Sequence, residues 1–147
     1  MKTEPRYRVE LWDIVEGERL SRRRVHDRFG GNRQNGISPS RKSPNILLFS
    51  HRVASARYGF HDDLDSDPVI YCGEGQTGDQ RITRGNRAIL DYQKDGRALR
   101  LFKMLSDQVQ YLGQFELDPD QPLAWEEASQ ASSSTLRKVA VFRLRRC

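Results

Sequence analysis

The sequence predicts an α+β fold: a curved β-sheet or barrel of mixed type, flanked by one or two helices. Three observations lead there. Short segments carry apolar residues in alternation or in compact runs of strand length. Only residues 16–29 and 79–95 read as helices. Gly, Pro, Asn and Ser punctuate the chain between these segments. At 147 residues, with 36% hydrophobic and 9% aromatic side chains, residues 1–147 suit a single domain with one modest core. Many short strands beside few helices make a closed or curled sheet the economical arrangement.

Taken in order, residues 6–15 alternate well enough for a strand, and 16–29 form a short helix stopped by Gly30-Gly31. Residues 30–45 are a long loop, rich in Gly, Asn, Ser, Pro and Arg, of the kind that carries function. Asn45–Ser50 is a buried strand, 61–68 an acidic turn and Val69–Cys72 a short strand broken by the glycines at 73–78. The second helix lies within 79–95, with Ile82, Ala88, Ile89 and Tyr92 at core spacing and Gly96 just past its end. Residues 97–105 and 108–117 form a hairpin across Ser106-Asp107. A Pro-, acid- and Ser-rich loop covers 118–136, and 138–144 is the last strand.

Charge is unevenly placed. Residues 21–59 hold nine Lys/Arg against Asp27, a local +8 that exceeds the whole chain's +5. Residues 60–79 hold six acids and no Lys/Arg. The basic block suits a polyanion surface, with a solvated Arg-rich helix as the plainer alternative. No apolar run reaches the length of a membrane span, and the N-terminus lacks a signal-peptide core. The two cysteines, Cys72 and Cys147, suggest a reducing compartment.

Catalytic and metal signatures are missing. The histidines at 26, 51 and 61 have no partners at zinc-ligand spacing, and neither a nucleophile elbow nor a phosphate loop occurs. Asp62, Asp63, Asp65 and Asp67 lack the Gly and distal Glu of a calcium loop. Cys72 reads as a structural thiol. The chain is therefore expected to be no enzyme and to need no metal or cofactor. What stands out is Phe60, Asp63 and Tyr71 within twelve residues, followed by Gly73 and Gly75. Two aromatic faces, a carboxylate and exposed backbone N–H groups can cage a flat heterocycle, and a carboxylate suits the cytosine amine. Aromatics flanking a turn are also ordinary core residues, and that reading stands beside the first.

The segments Gly59-Phe60-His61-Asp62-Asp63-Leu64-Asp65, Ile70-Tyr71-Cys72-Gly73-Glu74-Gly75 and Asp79-Gln80-Arg81-Ile82-Thr83-Arg84-Gly85-Asn86-Arg87-Ala88-Ile89 resemble the SRA (SET- and RING-associated) domain. The likeness extends through Gly96–Phe102 and Tyr111–Phe115, and upstream to Gly30-Gly31 and Gly36-Ile37-Ser38, covering about residues 25–117. The wording is most like bacterial versions, which often sit beside an HNH nuclease in modification-dependent restriction enzymes. The resemblance implies a PUA-like barrel that flips 5-methylcytosine, or 5-hydroxymethylcytosine, out of double-stranded DNA. It puts Asp63 at the base's Watson–Crick edge, Phe60 and Tyr71 at its two faces and the N–H groups of Cys72 and Gly73 near its polar edge. Glu74 stands where the family has a small residue near the methyl group, which leaves the tolerance for larger groups open.

The long finger that some relatives carry after the glycine turn is reduced here to Gln76-Thr77-Gly78, so discrimination of hemimethylated DNA is not inherited. The gap left by an everted base must be filled from elsewhere. Arg33, Gln34, Ser40, Arg41 and Lys42 are the candidates. Arg84, Asn86 and Arg87 are candidates for the DNA backbone, with capping and packing as the alternative for the last two. The expected protein is thus a bacterial, cytoplasmic, nucleoid-associated reader of modified cytosine. The basic ending Arg143-Leu144-Arg145-Arg146-Cys147 suits the N-terminal fragment of a longer restriction enzyme, dimerising through a nuclease domain outside this chain. The alternatives are a PUA-like domain binding RNA or unmodified DNA, and a nuclease whose cutting residues carry no recognisable signature.

Overall fold

The protein is described from a computed structural model, covering residues 7–9, 11–51, 62–129 and 135–147. Its elements are β1 (Arg19–Leu20), α1 (Arg22–Phe29), β2 (Ile37–Pro39), β3 (Asn45–Ser50), β4 (Val69–Cys72), α2 (Arg84–Leu90), β5 (Ala98–Met104), β6 (Val109–Leu117), β7 (Leu123–Ser129) and β8 (Leu136–Arg146). They form one sheet in the order β2-β3-β5-β6-β8-β4, with β1 added to β6 and β7 to β8. Strands β3 and β5 run parallel and the other pairs antiparallel, so the sheet is mixed. The register between β5 and β6 slips after Leu101, where Gly113 adopts φ 130°. Such a bulge bends a sheet and raises its twist. This is the expected α+β curled sheet with two helices.

Both faces of the sheet are covered, and β3 shows why its sequence is apolar throughout. Alternation sends Ile46 and Leu48 into one cluster, with Tyr71, Leu99, Phe142 and the α2 residue Ile89. It sends Leu47 and Phe49 into the other, with Val25 and Phe29 of α1, Phe102 and Tyr111. Helix α1 starts later than expected. Ser21 caps it by accepting the Arg24 N–H at 3.2 Å, while Arg19 and Leu20 pair with β6. Gly30 ends it as anticipated, at φ 85°.

Three expectations change. The described residues of 6–15 form no strand; instead Trp12 lies 4.2 Å from Phe29, stacked in the second cluster with Ile14. Apolar alternation there serves packing, not ladder pairing. The loop at 30–45 contains β2, an edge strand closed by Pro39. The loop at 118–136 contains β7, which pairs with β8 from Leu123↔Phe142 to Ser129↔Leu136. No helix among the described residues is long and apolar enough to cross a membrane.

Candidate functional site

Residues at the C-terminal ends of β3 and β4, strands that do not pair with each other, both line a cavity of about 320 Å³, near the lower end of the roughly 300–1,000 Å³ typical of ligand pockets. Tyr71, Asp62, Phe49, His51, Gln34 and Val139 are among its walls. Tyr71 alternates inward on β4, is 3% exposed, and its hydroxyl lies 3.1 Å from the carbonyls of both Gly36 and Phe49. Burial, with Asp62 nearby, holds the phenol well above its usual range, so it stays a neutral donor. The ring is thereby locked between β3 and the rim loop, residues 32–36, that leads into β2.

The carboxylate that lines the cavity is Asp62, whereas Asp63, the residue read from the sequence, is not part of its wall. Asp63 and Ile70 exchange both backbone hydrogen bonds, each at 2.9 Å, as an antiparallel bridge. Neighbouring residues on such a segment face opposite sides. Asp63 therefore points outward. Its side chain accepts from the N–H groups of Asp65 and Ser66 and stays exposed in a turn. Asp62 is 4% exposed and accepts from Cys72 N–H at 2.7 Å and from the Ser50 hydroxyl at 2.6 Å. Phe60 lies outside the described residues.

Cys72, Gly73 and Glu74 line the cavity, but their expected donors are engaged. The Cys72 N–H goes to Asp62, and the Gly73 N–H goes to Ala140 O at 2.8 Å. The Glu74 carboxylate accepts from Gly85 N–H at 2.8 Å, so it closes the start of α2 and does not reach freely toward a base. Burial and the Asp62 carboxylate push the Cys72 thiol far up, which makes it a poor nucleophile. With Ellman's reagent at pH 8 we expect the exposed Cys147 to react in the native protein and Cys72 only after unfolding. Rapid reaction of both would contradict this environment for Cys72.

The glycine turn is clamped by two buried amides. Gln80 donates to Gly73 O at 3.0 Å and Gly75 O at 3.1 Å, and accepts from Ala140 N–H at 2.9 Å. Asn86 accepts from Glu74 N–H at 2.8 Å and donates to Glu74 O and Arg81 O. Asn86 is 1% exposed, so its place is inside the clamp and not on a DNA backbone. Gln80 was not among the sequence candidates. Its only signal is its place in the Asp79-Gln80 element. Arg137 of β8 joins the same turn, donating to Gly75 O at 2.6 Å.

The proposed rim residues divide. Gln34 lines the mouth, with Arg33 beside it, exposed. Arg41 is exposed as well. Ser40 is fully buried and donates to Phe29 O at 2.6 Å, a structural role incompatible with contacting DNA. Lys42 reaches back to Asp27 O at 2.6 Å, which ties it to the end of α1. Arg87 pairs with Asp91 at 2.9 Å. Arg84 opens α2 at φ 49°, a left-handed backbone uncommon outside glycine, and stands with Arg81 and Arg97 on a groove adjoining the cavity.

The curled mixed sheet with its two helices is an SRA-like α+β fold. The chain belongs to the ScoMcrA-like SRA domain family, whose profile matches residues 16–147. No curated protein matches it. Among solved structures it is similar to the sulfur binding domain and SRA domain of ScoMcrA complexed with phosphorothioated DNA. That match has TM-score 0.65 and 23% identity, covering 91% of this chain and 40% of that one. It is similar to the Type IV phosphorothioation-dependent restriction endonuclease ScoMcrA, with TM-score 0.62 and 22% identity over 91% of this chain and 28% of that one. It is also similar to the SUVH5 SRA domain bound to fully hydroxymethylated CG DNA, with TM-score 0.60 and 20% identity over 91% and 89%. The chain thus spans less than half of either ScoMcrA chain.

Proposed function

We propose that this chain binds double-stranded DNA carrying 5-methylcytosine or 5-hydroxymethylcytosine, taking the everted base into the cavity beside Tyr71. The observation that carries the reading is the Asp62 carboxylate. It lines the cavity, holds the Ser50 hydroxyl and the Cys72 N–H on its two oxygens, and as an ionised carboxylate offers acceptors alone, which suits the cytosine amine. At the place of the cytosine amine, guanine would put its O6 acceptor, which a carboxylate repels. Phe60 is the proposed second stacking face. Arg33 and Gln34 at the rim are the proposed occupants of the gap in the duplex, and Arg41 and Arg84 the proposed phosphate contacts. Arg87 joins them once it leaves Asp91. Stacking returns about 1–3 kcal/mol per base against the few kcal/mol that eversion costs. The chain itself performs no chemistry in this reading. It is the reader module of a longer modification-dependent restriction endonuclease, whose nuclease domain and dimerisation lie elsewhere.

Fluorescence anisotropy with duplexes bearing one 5-methylcytosine, one 5-hydroxymethylcytosine, plain cytosine or one phosphorothioate linkage tests this. Burial of the methyl group alone predicts about fivefold tighter binding to the methylated than to the plain duplex. Equal affinity for all four duplexes, or stronger competition by RNA than by modified DNA, would overturn the proposal.

A further inference from the structure

One side chain of helix α1 reaches the loop that carries Arg33 and Gln34. The Arg22 guanidinium sits 3.9 Å over the Phe49 ring, whose carbonyl meets the Tyr71 hydroxyl. It donates to Asn32 O at 3.2 Å and to Asn35 O, spanning the two residues that bracket Arg33 and Gln34. The next residue, Gly36, accepts from both Phe49 N–H and Tyr71. Arg22 therefore ties α1, the rim loop and two cavity walls together. Its own orientation comes from His26, whose Nε2 accepts the Arg22 Nε–H at 3.0 Å. An arginine N–H always donates, so this nitrogen carries no proton. The Nδ1, 2.8 Å from Gly30 O, holds the ring's one hydrogen.

We propose that Arg22 is the positioning residue for the cavity rim and that neutral His26 sets it, so that acid releases the rim and weakens capture of the base. This rests on the reading that the cavity takes a base. Protonated His26 would turn an N–H and a positive charge toward the Arg22 Nε–H, and one of the two must withdraw. Arg33 faces His26 with like charge and Asp27 with opposite charge, while the Phe49 ring lies 5.4 Å away. Burial, with Arg22 next to it, favours the neutral ring, so protonation falls below the ordinary value of about 6.5. The fold does not depend on the tie alone. Ser38 holds Asn32 independently, donating to its carbonyl at 2.9 Å and accepting its N–H at 2.6 Å. What Arg22 adds is the hold on Asn35, and with it the direction of Gln34. A lysine ammonium cannot make these divergent bonds in one plane.

The test is the preference for a 5-methylcytosine duplex over the plain duplex at pH 7.5 and pH 5, with melting temperature recorded in parallel. The wild-type preference should fall severalfold at pH 5. Arg22→Lys should show the lowered preference already at pH 7.5 while remaining folded. His26→Gln, which still offers an acceptor and takes no proton, should make the preference independent of pH. His51 also lines the cavity and lies near Arg22 and Asp62, so His51→Gln must keep the acid loss. A folded Arg22→Lys with wild-type preference overturns the proposal. So does a wild-type preference that is the same at both pH values, or acid loss abolished by His51→Gln. If the wild type shows no preference even at pH 7.5, it is the function proposed above that fails, a distinguishable result.

Discussion

Asp62→Asn is expected to remove the preference for modified cytosine over plain DNA and to weaken binding of the modified duplex about tenfold to a hundredfold. This is the value of roughly 1.5–3 kcal/mol for a hydrogen bond to a charged group. The asparagine can still accept the Cys72 N–H with its oxygen. Its other terminal atom is then an amide donor, and a donor aimed at the cytosine amine repels it. Asp63→Asn should retain the preference, because Asp63 only caps the turn at Asp65 and Ser66, which asparagine also does. The two variants differ by one position and carry the same charge change. Their comparison therefore removes any general electrostatic effect of losing an acid near DNA. Binding to duplexes with and without the modification, at one salt concentration, reads both.

Gln80→Ala is expected to be the most destabilising single change at the site. Gln80 is 7% exposed and serves three backbone groups on two elements. Truncation leaves the Ala140 N–H and the carbonyls of Gly73 and Gly75 without these bonds inside the protein. Each such loss costs about 1–3 kcal/mol when solvent cannot replace it. A total on the order of 3 kcal/mol would lower the melting temperature by roughly 10 °C in a domain of this size. Gln80→Glu separates shape from donation, since a carboxylate can accept from Ala140 but not donate to the glycine carbonyls. It should fall between wild type and alanine. A melting temperature within a degree of wild type for Gln80→Ala would show that the clamp contributes little.

The fold was legible where the signal is local. The run Asn45–Ser50 is apolar because both of its faces are covered, and the glycines at 30 and 73–78 mark a helix end and a turn. Strands β2 and β7 were not legible, since Ile37–Pro39 and Leu123–Ser129 carry little alternation of their own. They become strands because β3 and β8 offer them an edge. At the site, the acidic turn and Tyr71 could be read, but the choice between Asp62 and Asp63 could not. A period of two assigns faces only once the pairing of Asp63 with Ile70 is known. From the sequence Ser40 reads as a surface polar residue, and Asn86 as either a backbone contact or a capping and packing residue, because composition carries no information about burial. Their hydrogen bonds to neighbouring backbone explain why polar groups lie inside.

The central claim is that a cytosine leaves the stack and enters this cavity. Placing 2-aminopurine next to a single 5-methylcytosine reads that event directly, because its fluorescence rises when its neighbour unstacks. The account predicts a severalfold rise that saturates with binding and is lost in Asp62→Asn at matched occupancy. Full binding of the modified duplex by the wild-type chain with no change in that fluorescence would contradict it.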